Sequence, residues 1–206
     1  MASDYCDRSA LAAAVGLRDS DDDPLLDAAI TAASRQIDDY CGRSFWQDTA
    51  VVAREFYATP CEVDLLDVEG VAREISTTTG LIVKTDNDGD GTFETTLTIG
   101  TDFVLLPRNA AADGEGFHTV VASGATFPRG SLARPGVQIT AKFGWPAVPD
   151  SVERACIAQA SQIYKSKDLV LGSTSTVDGA SLYAPSKLSG FAQALLDGGP
   201  ARVAVG

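Results

Sequence analysis

The sequence has little of what metal sites and nucleic-acid interfaces require. Its 206 residues contain one histidine, so a site with several histidine ligands cannot form within one chain. The net charge of −12 argues against a protein that grips phosphates through a basic face. The same charge is compatible with a wall that DNA passes without adsorbing, because like charges repel.

Long apolar runs are also absent. No uninterrupted run approaches the ~20 residues that a membrane-spanning helix needs. The start of the chain, from Met1 to Asp4, has neither the basic residues nor the apolar stretch of a signal peptide. Because the overall composition is 45% hydrophobic and 21% charged, we expect a soluble globular protein, made in a cytoplasm and without membrane contact.

The cysteines show no metal-binding or redox spacing. The four residues are Cys6, Cys41, Cys61 and Cys156, and no two of them form a CxxC motif. Cys41 and Cys156 fall on apolar faces of predicted helices. We therefore expect reduced thiols that are buried as small hydrophobes. A disulfide pair remains open, although nothing in the sequence indicates an oxidising compartment.

Helical periodicity is clear at both ends of the sequence. Apolar residues recur at intervals of three or four in segments 7–16, 24–41 and 150–167, which predicts three helices. Asp23 is predicted as the N-cap of the second helix, with Pro24 at the first helical position. Asp150, with Glu153 three residues later, predicts a capping box at the start of the third.

Between these helices the hydrophobic pattern changes to a period of two. The alternation over 51–143 predicts a central antiparallel β region, in which Asp86–Gly91 is a hairpin tip. The predicted fold class is α+β, with N-terminal helices and a long C-terminal helix packed around that region. Residues 1–168 then form the core, 169–185 a flexible linker, and 186–206 a docking segment and tail.

The hairpin tip carries the one acidic pattern that suggests a cation. Asp86, Asp88 and Asp90 alternate as in a calcium loop, but the position that needs a bidentate glutamate is Leu97. Glu94 could replace that ligand in a different kind of site. Tight turns also favour Asp, Asn and Gly for backbone reasons alone. We expect a turn without a metal, and a calcium-stabilised β-rich binding module is the alternative.

Evidence for catalysis is weak. Any triad or dyad built on histidine must use His118, and the sequence contains no GxSxG, P-loop or GxGxxG motif. A single histidine in a glycine-rich stretch is more typical of a surface residue. We expect no catalytic residue and no cofactor, and an enzyme that uses His118 is the third hypothesis.

The last apolar segment has two possible roles. Leu188, Phe191, Leu195 and Leu196 could form one side of a short helix that follows the predicted linker. An isolated helix of this length is marginal in water. Its apolar side therefore either folds back onto its own domain or docks on a partner. Physical reasoning alone does not choose between these alternatives.

Three motifs, in this order, resemble the phage head-tail connector (head-to-tail adaptor) family. The YCGRSF sequence at 40–45 is similar to the Y-x-G-R-x-F pattern that closes the first helical part of that family. The hairpin around Asp86–Gly91 and the TDFVLLP sequence at 101–107 resemble its central β region. The GWPAVPDSV sequence at 144–152 resembles the entry to its last long helix. The resemblance covers about residues 8–168.

The resemblance implies a structural virion protein of long-tailed phages, made in the bacterial cytoplasm and located at the head-tail junction. Copies of such a subunit form a ring, usually dodecameric, between the portal protein and a stopper or tail-completion protein. DNA passes through the bore without sequence-specific binding. In that family the C-terminal segment commonly docks on the portal, which assigns portal docking to the apolar residues of 188–196.

Overall fold

The described residues form two compact units. The computed structural model describes residues 4–65, 74–130, 134–168 and 188–198. A helical unit contains the described residues up to Gly42 and those from Val148 onward, and a β unit spans Arg43–Ala147. The chain therefore leaves the helical unit once and returns to it once. The predicted α+β fold, with helices at both ends and antiparallel strands between them, is confirmed.

Five α-helices and seven strands are present in the described ranges. The helices are α1 (Arg8–Val15), α2 (Asp23–Cys41), α3 (Ala110–Asp113), α4 (Asp150–Lys165) and α5 (Gly190–Asp197), and a 3-10 turn, Ser166–Asp168, follows α4. The strands are β1 (Val52–Phe56), β2 (Glu62–Asp64), β3 (Ile82–Thr85), β4 (Thr95–Leu97), β5 (Phe103–Leu106), β6 (Thr119–Ala122) and β7 (Val137–Ala141). Among these helices, none is both long and apolar enough to cross a membrane.

The helical unit is built on the packing of α2 against α4. Helix α1 packs on both of them, and α5 packs on α4. Their facing residues are buried at intervals of three or four, as the periodicity predicts: Leu26, Ile30, Ala33, Ile37 and Cys41 on α2, and Val152, Cys156 and Ala160 on α4.

The helix ends confirm some of the sequence signals and correct others. Gly42 ends α2 in the left-handed conformation, at φ 64°, as its position predicts. The prediction for Asp23 is wrong by one residue, because Asp22 is the N-cap and Asp23 is the first helical residue. The predicted capping box at Asp150 is also wrong. Helix α4 already begins at Asp150, after Pro149, and no side chain caps it.

The β unit contains two antiparallel sheets. One has the strand order β1-β7-β3-β4 and the other the order β2-β6-β5. In the first sheet β7 is central, and its residues Val137, Ile139 and Ala141 are fully buried. Gln138 and Thr140 alternate with them and lie on the opposite face of the sheet. The buried face joins an apolar core to which both sheets contribute.

The order of the sequence elements agrees with the prediction better than their lengths do. The hairpin of β3 and β4 around Asp86–Gly91 is confirmed. Only Thr95–Leu97 pairs in β4, although the sequence predicts a strand over 93–99. The glycine-rich stretch 108–136 predicts long loops, and the short helix α3 lies within it. The predicted linker, 169–185, and the tail after residue 198 lie outside the described residues, so the proposed division into core, linker and docking segment stays a prediction.

Candidate docking surface

Helix α5 has a well-defined start. The hydroxyl oxygen of Ser189 accepts a hydrogen bond from the backbone N–H of Ala192 at 3.2 Å, which is N-cap geometry. The side-chain amide of Gln193 donates to the carbonyl oxygen of Leu188 at 2.9 Å. These contacts fix the helix at Gly190–Asp197, three residues later than the start at 187 that the apolar pattern predicts.

The inner face of α5 is covered by its own unit. Leu188, Ala192 and Leu196 stand four residues apart and are all buried, and Leu196 is fully buried. Helix α4 is the element against which α5 packs. Two of the four predicted docking residues, Leu188 and Leu196, therefore contribute to the core of the helical unit.

Hydrogen bonds link α5 and its N-cap residue to α4 and α2. Gln159 of α4 is fully buried, and its Oε1 accepts a hydrogen bond from the backbone N–H of Ser189 at 2.9 Å. Its Nε2 donates to Oε1 of Gln36 on α2 at 2.7 Å. At the other end of α5, the Tyr40 hydroxyl donates to Oδ1 of Asp197 at 2.8 Å. Sequence patterns do not indicate these hydrogen bonds, although a glutamine within an apolar helical stripe is a signal of a buried polar link.

The outer face of α5 carries the other two predicted residues. The side chain of Phe191 is 66% exposed, and Leu195, four residues later, is half-buried. Residues spaced by four share one face of a helix. Together they form an apolar surface, hereafter the outer face (Phe191 and Leu195). An exposed aromatic ring of this kind is a common anchor in protein–protein contacts.

The acidic hairpin tip is organised mainly by its own backbone. Oδ1 of Asp86 accepts from the N–H of Gly89 at 2.7 Å, and Oδ2 accepts from the N–H of Gly91 at 2.8 Å. Burial opposes ionisation of this carboxyl, but the N–H groups of Gly91 and Gly89 outweigh it and hold the pKa of Asp86 below its usual range. This is the turn geometry that the sequence predicts.

Part of the predicted calcium set does come together. Carboxylate oxygens of Asp86, Asp88 and Glu94 all lie within 4.8 Å of one another. Asp90 is not in this group, and its Oδ1 accepts from the N–H of Thr92 at 2.6 Å. The loop could therefore hold a hard cation through three carboxylates, with Glu94 replacing the missing EF-hand glutamate.

His118 is exposed, next to the start of β6. Its Nδ1 lies 3.1 Å from the hydroxyl oxygen of Thr119. This position agrees with the surface residue that we expected.

The cysteines differ from one another in burial. Cys6, Cys41 and Cys156 are buried, as predicted, but Cys61 is exposed, so that part of the prediction is wrong. Cys61 lies just before the short strand β2, where the chain turns. None of the four, all of which belong to the described ranges, forms a disulfide.

Two of the motifs that carry the family resemblance meet inside the β unit. The rings of Phe45 and Trp145 are 5.5 Å apart, centroid to centroid. Gly144 has φ +98°, and a Cβ added there would lie 1.9 Å from the carbonyl oxygen of Trp46. Glycine is therefore required where these two segments pass each other. Arg43 of the first motif forms an ion pair with the buried Glu74, with 3.0 Å between Nη1 and Oε1.

Comparison with known proteins gives a likeness of structure only. No protein-family model and no curated protein sequence matches the chain. A chain in the neck of an empty gene transfer agent (GTA) particle, computed with C6 symmetry, matches 93% of this chain and 89% of its own length, at 17% identity and a TM-score of 0.52. This match shows a shared fold.

Two further matches are weaker. A chain in the neck of a native GTA particle, computed with C12 symmetry, matches 84% of this chain and 79% of its own length, at 18% identity and a TM-score of 0.43. A chain in the virion of a native GTA particle matches 86% and 79%, at 20% identity and a TM-score of 0.44.

Proposed function

We propose that this chain is a structural subunit of the neck of a phage-like particle. In this proposal copies of the chain form a ring, dodecameric as the family resemblance implies, at the head-tail junction. One side of the ring binds the portal protein and the other a stopper or tail-completion protein, and DNA passes through the bore. The subunit has no catalytic role.

The observation that carries the proposal is the shared fold. The matching neck chain is similar along 93% of this sequence, so the likeness includes the helices as well as the sheets. A fold alone does not determine function. Here, however, the fold likeness and the three sequence motifs, which are independent observations, both indicate a neck subunit. The C6 symmetry of that neck supports a ring, since a closed ring needs contacts between unlike faces of identical subunits.

The outer face of α5 supports a docking role for the C-terminal segment. Phe191 exposes an aromatic ring that its own unit does not need for packing, whereas Leu188 and Leu196 are already buried. We therefore assign portal contact to Phe191 and Leu195 and keep the other two leucines as the support of the helix. Because the outer face is not part of the core, the helical unit should keep the same fold with and without the portal protein.

The acidic composition supports passage of DNA. Each subunit carries a net charge of −12, and a ring repeats that charge around its axis. A polyanion is repelled by such a surface and does not adsorb to it.

The direct test measures assembly. The full chain is purified and analysed by sedimentation velocity, alone and mixed with the portal protein encoded in the same genome. We expect a discrete complex in which several copies of the chain join the portal oligomer. A mixture in which the chain stays separate from the portal at micromolar concentrations contradicts the proposal.

A variant pair tests the docking surface. Phe191→Ala with Leu195→Ala should weaken portal binding about tenfold, because burying a large apolar side chain contributes ~1.5–3 kcal/mol and Phe191 is already partly covered. The control is Leu25→Ala, which removes a leucine of α2 that is 49% exposed. It should leave binding unchanged. If the double variant instead loses helical stability and the control does not, the outer face belongs to the core and the docking role is wrong.

A second candidate function is a calcium-stabilised β-rich binding module. The observation that favours it is the approach of Asp86, Asp88 and Glu94 to within 4.8 Å. A ligand that binds only the folded state raises the melting temperature. Calorimetry of the purified chain in millimolar CaCl₂ and in EGTA separates the candidates. A rise of several degrees with calcium, lost in Glu94→Gln, supports the module, and equal melting temperatures exclude it.

A further inference from the structure

Two buried cysteines meet in the helical unit. Cys6 lies in the short segment before α1, and Cys156 lies in the middle of α4. Their sulfur atoms are 3.4 Å apart, although the residues are 150 positions apart in the sequence. The proposed docking function uses neither thiol. Nothing in their sequence spacing indicates this pairing, because the fold alone brings them together.

The position of Cys6 is set by its neighbours. Tyr5 is 2% exposed, and its backbone N–H donates to Oγ of Ser34 on α2 at 3.1 Å. The Tyr5 hydroxyl donates to the carboxylate of Asp38. One residue earlier, Asp4 accepts from the hydroxyl of Thr31 at 3.2 Å. The segment is thus held on α2 at three points, and the approach of the two sulfurs is a consequence of this anchoring.

The surroundings of the pair favour one reactive thiol. The hydrogen bond from Cys6 lowers the pKa of Cys156, burial opposes this, and Ser34 Oγ, 3.5 Å from the sulfur, lowers it further. The same sulfur–sulfur hydrogen bond, followed by burial, raises the pKa of Cys6. The S–H of Cys6 is directed at the Cys156 sulfur, and Ser34 Oγ lies next to the same sulfur, so this geometry favours Cys156 as the attacking thiolate.

We propose that Cys6 and Cys156 are a disulfide-forming pair that closes the N-terminal segment onto α4 when a peroxide reaches the protein. The Cys156 thiolate attacks one oxygen of hydrogen peroxide, the O–O bond breaks, and hydroxide leaves and takes a proton from solvent to become water. The sulfenic acid left on Cys156 is attacked by the Cys6 sulfur. The S–S bond forms as the S–O bond breaks, and the hydroxyl leaves as water with the Cys6 proton. Two thiols are oxidised and one peroxide is reduced to two waters.

The inference is independent of the proposed function, because it rests only on the geometry within the helical unit. A bond between residues 6 and 156 closes a loop over 150 positions of the 206-residue chain, and long closed loops give large stabilisation in the chain-entropy model. We expect oxidation to raise the melting temperature by about 5 to 10 °C.

The test uses the full-length chain in a Cys61→Ser background, which removes the exposed thiol and with it disulfides between molecules. After treatment with a small excess of hydrogen peroxide, the intact mass should fall by about 2 Da, because two hydrogens are lost. Peptide mapping without reduction should recover a cross-linked peptide that contains Cys6 and Cys156. Dithiothreitol should reverse the mass change and the rise in melting temperature.

Matched variants keep the test decisive. Adding Cys41→Ser should leave the cross-link intact, whereas adding Cys6→Ala or Cys156→Ser should abolish it. Of the latter two, Cys6→Ala preserves α4 and is informative even if Cys156→Ser does not fold. Oxidation that adds oxygen to either sulfur without a cross-link, or a protein that keeps all its thiols titratable in denaturant, overturns the proposal.

Discussion

The helical unit and the β unit are stabilised in different ways. The β unit has an apolar core to which both sheets contribute, with aromatic pairs such as Phe56 and Phe143, whose ring centroids are 5.8 Å apart. Both units bury polar residues. The β unit buries Glu74 and Ser76 on either side of Ile75, and Thr85 and Asp86 at the end of β3. The helical unit buries Ser34 and Gln159 between its helices, and each of them is fully buried and hydrogen-bonded. The hydrophobic effect does not depend on the relative orientation of two side chains, whereas a buried hydrogen bond requires its donor and acceptor to be aligned.

This difference predicts which kind of substitution destabilises each unit most. Loss of volume should damage the β unit most, because its core depends on close packing. Loss of a hydrogen-bonding partner between the helices should have a more local effect, because it leaves one buried polar group unsatisfied without removing apolar volume. Trp46 and Trp145, the two tryptophans of the chain, both belong to the β unit. Tryptophan fluorescence therefore reports on that unit alone, and far-ultraviolet circular dichroism reports mainly on the helices.

The largest effect is expected in the β-unit core. Ile139→Ala removes a fully buried side chain from the central strand β7 and should lower the free energy of unfolding by about 3 kcal/mol. Urea titration followed by tryptophan fluorescence measures it. Ile82→Ala on β3, where the side chain is 43% exposed, is the control and should cost less than about 1 kcal/mol. Equal losses would contradict the placement of the core.

A smaller and more local effect is expected from the buried amide of the helical unit. Gln159→Leu removes the acceptor of the Ser189 N–H and the donor to Gln36. It should lower the free energy of unfolding of the helical unit, followed by circular dichroism, by about 1–2 kcal/mol. Hydrogen exchange should increase in residues 188–198 while the fluorescence transition stays unchanged. The control is Gln162→Leu, an exposed position on the same helix. Unchanged exchange in α5 would show that Gln159 does not hold it.

The smallest effect is the acid response of the hairpin tip. The N–H groups that lower the pKa of Asp86 stabilise the ionised form in the folded state, so this contribution is present above the unfolded pKa of about 3.9 and is lost as the pH falls through the lower folded value. Asp86→Asn should be less stable than the natural sequence at pH 7, and the difference should shrink below about pH 4. Fluorescence-detected urea titrations across this range measure it, and a difference that does not change with pH contradicts the assignment.

The helices were predictable because their signal is local. The apolar residues of α2 repeat at the helical period, and Gly42 marks its end within the same stretch of sequence. The exact starts were less predictable, since both Asp22 and Asp23 are good caps and only the backbone angles distinguish them. The order of the strands in the two sheets was not predictable, because β1 and β7 pair across most of the β unit.

The candidate docking surface was half predictable. The sequence identifies Leu188, Phe191, Leu195 and Leu196 as apolar, but their division into an inner and an outer face depends on where Ser189 starts the helix and on the buried Gln159. The Ser189 cap is a local contact, but the link to Gln159 joins residues 30 positions apart, and sequence patterns do not indicate that pairing. The Cys6–Cys156 contact was hidden for the same reason.

The chain leaves the helical unit after Gly42 and returns to it at Val148, and this order matters during synthesis. The ribosome releases α1 and α2 first, then the entire β unit, and only afterwards α4. The β unit can therefore fold while the apolar face of α2 is still exposed, because α4, which covers that face, has not yet been synthesised. An emerging chain must shield that face until α4 has left the ribosome, which makes the nascent N-terminal helices a natural substrate for chaperones.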